Sequence, residues 1–410
     1  MNKSPEIKLR LFNVGQGDHV LLELPDGSFG IIDFYYSGSK GWVSPPAQVF
    51  LENLRKQAPE KEIKIAFICI SHPDVDHIKG LNIFLKWLER NRITVERIWR
   101  YPGPNPGEMK MYLENALQKS KFAEGALENN KVLDANLDAL DSYIRRKKPE
   151  VSYLHDIKEI SNKIAGFIDA KCLAPLEEHT QRKTSEFWIK FFQAYLERKK
   201  LRLNNKNILS SIVQLIFGNF NLLFGGDTEL HVWQDCMAHC DKNNLKISWQ
   251  PNFIKISHHG SKNSSSIELW EKLLSNSLTY IGISSWKKEH PHNETINHIK
   301  QATISTPKKY NLLATSICGN CANNQPFNVL YASWVTKTEN NTFEEYVLNE
   351  CRSKAYLNVP DSNMLISYVL TFSLKKSSIL VEKEIIKTNF VQRCIYNDSS
   401  NKTFPDCIIK

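Results

Sequence analysis

The sequence lacks any apolar run long enough to cross a membrane. Its longest apolar stretches, such as residues 65–70, fall far short of the ~20 residues that a transmembrane helix requires. No apolar segment follows the first residues, so no secretory signal is expected. Internal repeats and low-complexity linkers are also missing from the sequence. A globular protein without membrane contact is therefore expected.

Cysteine is sparse and follows no pattern. The nine cysteines are an odd number without regular spacing, which favours free thiols in a reducing compartment. Cys318 and Cys321 have no second pair that would complete a structural zinc site. The expected location is the cytoplasm.

Charge of one sign is in modest excess. The chain has 53 Lys and Arg against 44 Asp and Glu, a formal net charge of +9. This excess favours an anionic partner such as nucleic acid, although it is small for 410 residues. A composition that is 41% hydrophobic and 24% charged is typical of soluble globular proteins with one large or two ordinary domains.

Apolar stretches bounded by turn residues predict an α/β fold. An amphipathic helix is expected over 46–58. The strand that follows it leads directly into a segment rich in His and Asp, so a site is expected at the carboxyl end of a strand. The predicted strands cover residues 9–14, 19–24, 29–33, 63–70, 211–217, 221–224, 253–256 and 278–283.

Residues 104–206 combine helical spacing with many charged residues, and we expect them to form a largely helical insertion. Helical spacing is present at 109–121, 135–147 and 186–200. Basic runs at 145–148 and 198–200 allow two interpretations: a solvated helix face, or a rim that grips the substrate. The sequence leaves both open.

Three strands end in side chains that can bind metal. Imidazole and carboxylate together, without cysteine, suit zinc, manganese or iron(II) in a catalytic site. Two metals about 3.5–4 Å apart would activate water at neutral pH and stabilise both oxygens of a displacement. Gly225 and Gly226 would let the backbone pass close to such metals. The candidate ligands are His72, Asp74, Asp76, His77, Asp227, His258 and His259.

The segment His-x-Asp-x-Asp-His at residues 72–77 resembles the His-x-His-x-Asp-His signature of the metallo-β-lactamase superfamily, with Asp74 in place of a histidine. That difference, and several further motifs in the same order, are similar to the ComEC-like branch. The further motifs are Val-Gly-Gln-Gly-Asp at 14–18, Asp33, the Asn/Ser segment at 207–213, Gly226-Asp227, His-His-Gly-Ser at 258–261 and His290-Pro291.

The resemblance implies an αββα sandwich with metals at one edge. It implies a hydrolase domain over residues 1–310, interrupted by the insertion, and a β-rich part over 311–410 that completes or extends the sandwich. His72, Asp74 and Asp227 would hold one metal. The second metal would be held by Asp76, His77, Asp227 and one of His258 and His259.

The identity of the two divalent metals, zinc or manganese, stays open, and the carboxylate at position 74 favours manganese. The family's additional histidine has no clear match, because His179 lies inside the insertion.

The leading functional hypothesis is a metal-dependent phosphodiester hydrolase, a nuclease that acts on DNA with hydroxide activated by two metals. The first alternative is hydrolysis of a small substrate, such as a cyclic nucleotide, a lactone or an amide, since fold does not decide substrate. The second is a non-catalytic binding module. A protein partner is conceivable but unspecified.

Beyond the metal ligands, the hypothesis assigns three kinds of role. Asp76 would be catalytic, and His290, in preference to His292, would act as an acid or as a donor to the developing oxyanion. Ser261 and Lys262 would contact the substrate.

Overall fold

Two β-sheets pack face to face, with helices on both outer surfaces, in the computed structural model of the protein. This arrangement is the predicted αββα sandwich. The structure describes residues 5–12, 14, 17–36, 44–72, 74–101, 131–182, 186, 206–274, 277–284, 290–304, 309–314, 364–375, 377–387, 390–396 and 407–409.

The first sheet contains ten described strands. They are β1 (Glu6–Phe12), β2 (Val20–Glu23), β3 (Phe29–Ile32), β4 (Ile65–Ile70), β5 (Val95–Arg100), β6 (Glu150–Tyr153), β14 (Met364–Ser373), β15 (Ser378–Lys387), β16 (Phe390–Tyr396) and β17 (Cys407–Ile409). Their order is β17-β16-β15-β14-β1-β2-β3-β4-β5-β6, and β3 to β6 run parallel.

The second sheet contains seven described strands. They are β7 (Lys158–Ile164), β8 (Ile168–Ala174), β9 (Ile212–Phe217), β10 (Phe220–Phe224), β11 (Phe253–Lys255), β12 (Leu278–Ile283) and β13 (Lys309–Ala314). Their order is β13-β12-β11-β10-β9-β8-β7, and β10 to β13 run parallel.

Helices cover the outer face of each sheet. Three pack on the first sheet: α1 (Pro46–Gln57), α3 (Leu81–Arg90) and α4 (Lys131–Lys147). Three pack on the second: α5 (Leu230–Lys242), α6 (Ile267–Leu273) and α7 (Asn293–Gln301). A single turn, α2 (Val75–Ile78), follows β4. Among the described residues, no helix combines the length and the apolar character needed to cross a bilayer.

Strand β4 shows why the central strands have continuous apolar sequences. Its side chains alternate between the two faces of the sheet. Phe67 points into the space between the sheets and stacks on Trp99, with ring centroids 4.2 Å apart. Ile68 and Ile70 point outward, against the helices. Because both faces of β4 are buried, no polar alternation interrupts it.

The predicted helical insertion over 104–206 differs from the structure at residues 150–174. These residues form β6, β7 and β8, which join the two sheets. Strand β7 lies at an edge and is largely half-buried or exposed, so its sequence carries a weak apolar signal. Helix α4 includes the helix predicted at 135–147. The helix predicted at 109–121, and nearly all of that at 186–200, lie outside the described residues.

The described residues after 310 add to both sheets. Strand β14 pairs with β1, from Ser373 opposite Glu6 to Ser367 opposite Phe12. Strands β15 to β17 continue the first sheet outward from β14, while β13 lies at the edge of the second. The division into two parts at residue 310 remains an expectation.

Substitution Phe67→Ala should destabilise the protein by about 3–5 kcal/mol, because it leaves a cavity between the sheets beside Trp99. Phe167→Ala, on the turn between β7 and β8, is the control, because that ring is 46% exposed; its effect should stay within about 0.5 kcal/mol. Urea unfolding of both variants measures the difference. Equal losses would show that Phe67 does not anchor the core.

Candidate metal centre

The metal-competent side chains lie at the carboxyl ends of strands in both sheets. His72 and His77 follow β4, Asp227 follows β10, and His259 follows β11. Parallel strands direct these ends to one edge of their sheet. Such edges are the usual position of ligand sites in open α/β sheets. Contacts between His77 and Asp227 show that the edges of the two sheets meet.

Asp76, His77, Asp227 and His259 form the centre of the cluster. One ligand atom from each lies within 4.8 Å of the others. Nε2 of His77 lies 3.1 Å from Oδ1 of Asp227, and Nε2 of His259 lies 3.3 Å from Oδ2 of Asp76. Two imidazoles and two carboxylates are a donor set that suits zinc, manganese or iron(II). Hereafter these four residues are the ligand cluster.

Several buried atoms of this region have no hydrogen bond. They include Nε2 of His77 and Oδ1 of Asp227, which lie close together but without hydrogen-bond geometry, and both ring nitrogens of His72. An unsatisfied buried polar group costs about 1–3 kcal/mol, so their concentration at one place needs an explanation. A bound divalent cation would satisfy them, and the residues fit such an ion.

His72 and Asp74 differ in their relation to the ligand cluster. The ring of His72 is fully buried, and its centroid lies 5.4 Å from that of His77. Burial lowers the pKa of His72, so the neutral ring keeps a lone pair for a metal. Asp74 is half-buried and caps α2, where its Oδ1 accepts a hydrogen bond from the N–H of Val75 at 2.9 Å. It lies beside the ligand cluster, outside the four central residues.

The structure separates the two adjacent histidines that the sequence left undecided. Both have left-handed backbone conformations, with φ of 48° at His258 and 53° at His259. This conformation turns the ring of His259 toward Asp76, while Nδ1 of His258 lies 3.3 Å from the side-chain amide of Asn207. Non-glycine residues adopt positive φ infrequently, and often at functional sites. His259 is thus the member of the pair in the ligand cluster.

Each histidine of the ligand cluster is held from behind by a buried carboxylate. Nδ1 of His77 and Oδ2 of Asp33 form a hydrogen bond of 2.9 Å. Nδ1 of His259 lies 3.4 Å from Oδ1 of Asp18, an electrostatic contact without hydrogen-bond geometry. Such carboxylates orient a ligating imidazole and raise its basicity. The motifs at 14–18 and at Asp33 were recognised in the sequence without these roles. The partner of Asp18, Lys255, was not identified at all.

The carboxylates and imidazoles of the ligand cluster keep one another ionised. Burial alone would raise the pKa of Asp227, but the imidazole of His77 holds it well below its ordinary value. Burial alone would lower the pKa of His77, but Asp227 and Asp33 raise it well above the ordinary value. The metal-free protein therefore holds ionised carboxylates against protonated imidazoles.

Gly226 lies against two serine side chains, whereas the sequence led us to expect a close approach to the metals. Its φ is +50°, and a Cβ there would lie 2.5 Å from Oγ of Ser210 and 2.9 Å from Oγ of Ser71. Ser210 needs that position, because its Oγ accepts a hydrogen bond from the N–H of Asp227 at 2.6 Å. The glycine therefore lets Ser210 fix the backbone of Asp227.

His290 lies beside the ligand cluster. Of the two predicted substrate contacts, Ser261 is buried and Lys262 is exposed. The His290 ring centroid is 6.0 Å from that of His259. Burial and the neighbouring His259 lower the pKa of His290 to about 4, so it is neutral and can donate one N–H. The Oγ of Ser261 accepts from the N–H of Asn263.

The basic run at 145–148 lies at the edge of the sheet opposite the ligand cluster. Helix α4 runs alongside α3: Asn136 accepts a hydrogen bond from the N–H of Asn82, near the start of α3, and Arg146 binds Glu89, near its end. Helix α3 starts shortly after the metal-competent segment, and its ten residues extend about 15 Å away from it. A solvated helix face is therefore favoured for this run. The run at 198–200 lies outside the described residues.

His179, the histidine inside the predicted insertion, lies away from the ligand cluster. Its Nε2 lies 3.0 Å from Oδ2 of Asp235, on the outer helix α5. Within the described residues, it belongs to none of the groups of side chains that could share a metal.

No family model and no curated protein matches this sequence. Among solved structures, CmlA, a diiron β-hydroxylase from Streptomyces venezuelae, is 14% identical with a TM-score of 0.37 over 76% of this chain and 53% of that chain. Zinc-bound PqqB from Methylobacterium extorquens is 8% identical with a TM-score of 0.32, over 62% of this chain and 72% of that one. This chain thus spans about half the length of CmlA. TM-scores this low carry no argument about activity.

Metal binding at neutral pH should release protons. Burial lowers the pKa of His259, but the carboxylate of Asp18 reverses this and raises it to about 9. A metal binds only the deprotonated Nε2, so its affinity should increase with pH until pH 9 is passed. Calorimetric titrations in buffers of different ionisation enthalpy count the released protons. An affinity that does not change with pH below this value would contradict the assignment of His259 as a ligand.

Neutralising the basic run at 145–148 should leave both turnover and the salt dependence of substrate binding unchanged, because the run lies away from the ligand cluster. The measurement is the slope of log affinity against log salt concentration. A flatter slope would show that the run contacts a polyanionic substrate. The variant carries glutamine at Arg145, Arg146, Lys147 and Lys148.

Proposed function

We propose that this protein is a metal-dependent phosphodiesterase whose substrate is nucleic acid, with DNA as the first candidate. The observation that carries the proposal is the position of Asp227. Its Oδ1 lies 3.1 Å from Nε2 of His77 and 3.9 Å from Nε2 of His259, so one buried carboxylate faces imidazoles from both sheets. This carboxylate would be a ligand of the metal held by the ligand cluster, and it would be shared with a second metal on the His72 side.

We propose two metal positions, of which only the first has a complete set of four ligands. The ligand cluster would hold one metal, and His72 with Asp227 and the neighbouring Asp74 would hold the other. When bound, two divalent metals supply Lewis acidity and hydroxide at neutral pH. The many carboxylates, including Asp74 where the resemblance has a histidine, favour manganese over zinc.

Two residues of the chain would act on the reacting groups. Asp76 is the most exposed member of the ligand cluster, with 21% of its side chain accessible. Burial opposes its ionisation, but His77 and His259 keep its pKa below the ordinary value, so its carboxylate is ionised at neutral pH and would orient the attacking water. Neutral His290 can donate a hydrogen bond to a phosphate oxygen, where negative charge develops in the transition state.

Support for nucleic acid comes from the net charge of +9 and from the resemblance to the ComEC-like branch. A cytoplasmic location fits this proposal. The described cysteines, Cys69, Cys172, Cys236 and Cys240, are all buried and free, as a reducing compartment allows.

A small phosphodiester, such as a cyclic nucleotide, is the second candidate substrate. The observation that favours it is the position of the basic run at 145–148, which contributes no charge near the ligand cluster. The run would add little to the binding affinity of a polymer held at the ligand cluster. A small substrate needs only the ligand cluster and the residues beside it.

The test is cleavage of end-labelled single- and double-stranded DNA, and of a cyclic nucleotide, with manganese, zinc or magnesium. Asp227→Asn should lose more than about 100-fold in rate, because even residues behind the ligands typically contribute 10–100-fold. The matched control is Asp235→Asn, which changes an aspartate that also pairs with a histidine but lies on α5; it should cleave normally.

DNA cleavage by the wild type and the control, but not by Asp227→Asn, would support the nuclease. Cleavage of the cyclic nucleotide alone would favour the second candidate. Equal activity of Asp227→Asn and wild type would exclude the bridging role.

A further inference from the structure

The carboxylates of Asp33 and Asp18, which lie behind the ligand cluster, are held by different kinds of donor. Asp33 is held by neutral donors, since its oxygens accept from the N–H and Oγ of Ser71 at 2.7 and 2.6 Å. Asp18 is held by a cation, because Nζ of Lys255 donates to its Oδ2 at 2.9 Å and lies 2.8 Å from its Oδ1. One histidine of the cluster thus depends on a hydroxyl group and the other on a buried ion pair.

The ion pair links the two sheets directly behind the ligands. Lys255 is the last residue of β11, in the second sheet, and Asp18 lies between β1 and β2, in the first. Both side chains are only 3% exposed. The backbone N–H of Asp18 also donates to the carbonyl of Asp76 at 3.0 Å. Asp18 therefore contacts two residues of the ligand cluster, His259 through its side chain and Asp76 through its backbone.

We infer that Lys255 is a positioning residue of the metal centre: by fixing the carboxylate of Asp18, it holds His259 in the orientation that a metal requires. A buried cation paired with one carboxylate does not need a metal for its own stability. The position of this pair, with the imidazole of His259 between it and Asp76, gives it a role in ligation. The inference rests on the proposed function only in assuming a metal centre.

The two carboxylates also differ in whether a lysine neutralises their charge. Lys255 cancels the charge of Asp18, whereas His77 is the only cation paired with Asp33 among the described residues. Because the charges of Lys255 and Asp18 cancel, the pair attracts the His259 ring only weakly. Its main effect should be to fix the position of that ring. An arginine at position 255 can retain the charge and part of the geometry.

The test measures manganese and zinc binding to purified protein by calorimetry, together with thermal unfolding of the metal-free protein. Lys255→Met should weaken metal binding by about 10–100-fold, the range typical of residues behind a ligand. Lys255→Arg should recover part of that loss. The control is Arg10→Met, which removes another buried cation paired with a carboxylate, Glu23, away from the ligands; it should lower stability and leave metal affinity unchanged.

A double variant keeps the test decisive if Lys255→Met folds poorly. Asp18→Asn with Lys255→Met removes both buried charges, and such neutral replacements are often tolerated. Its metal affinity should fall no further than that of Asp18→Asn alone, because both residues act through His259. Unchanged affinity in a folded Lys255→Met variant, or additive losses in the double variant, would overturn the inference. Absence of metal uptake by the wild type would overturn the proposed function as well.

Discussion

Carboxylates and imidazoles from two different sheets are buried against one another at the edge where the sheets meet. Asp76 and His77 come from the first sheet, and Asp227 and His259 come from the second. The closer contacts join the two sheets, 3.1 Å from His77 to Asp227 and 3.3 Å from His259 to Asp76, against 3.9 Å within each pair. Each buried charge therefore has its nearer partner in the other pair. The packing of the sandwich and the composition of the ligand cluster therefore depend on each other.

This dependence explains the strained and crowded backbone around the cluster. His258 and His259 adopt positive φ. Gly226 lies so close to Ser210 and Ser71 that a Cβ there would clash with both hydroxyl groups. These conformations persist only because the surrounding strands determine them. The apolar core between the sheets supplies that rigidity, and it includes Phe67 stacked on Trp99.

Much of the fold could be predicted from the sequence because its central strands are buried on both faces. Strand β4 has no polar residue between Ile65 and Ile70, so its extent and the site after it were evident. Strands β6 to β8 were missed inside the predicted insertion. Strands β6 and β7 lie at sheet edges, where charged residues face solvent and the apolar pattern is weak. Strand β8 has buried residues at every second position from Ile168 to Cys172, a strand pattern that the prediction of a helical insertion passed over.

The site was predictable in its residue types and less so in its geometry. The choice of His259 over His258 depends on two left-handed residues, which the sequence does not specify. Lys255 could not be distinguished from an ordinary strand lysine, because its partner Asp18 is 237 residues away in the chain. The position of the basic run at 145–148 depends on the direction of α4 relative to α3, which is a tertiary property.

The most direct test of this account is a crystal structure of the protein grown with manganese, with diffraction data collected at the manganese absorption edge. We expect an anomalous peak between Nε2 of His77, Nε2 of His259 and the carboxylates of Asp76 and Asp227. A peak at other residues, or no peak at saturating manganese, would contradict the central claim that these four side chains form a metal centre.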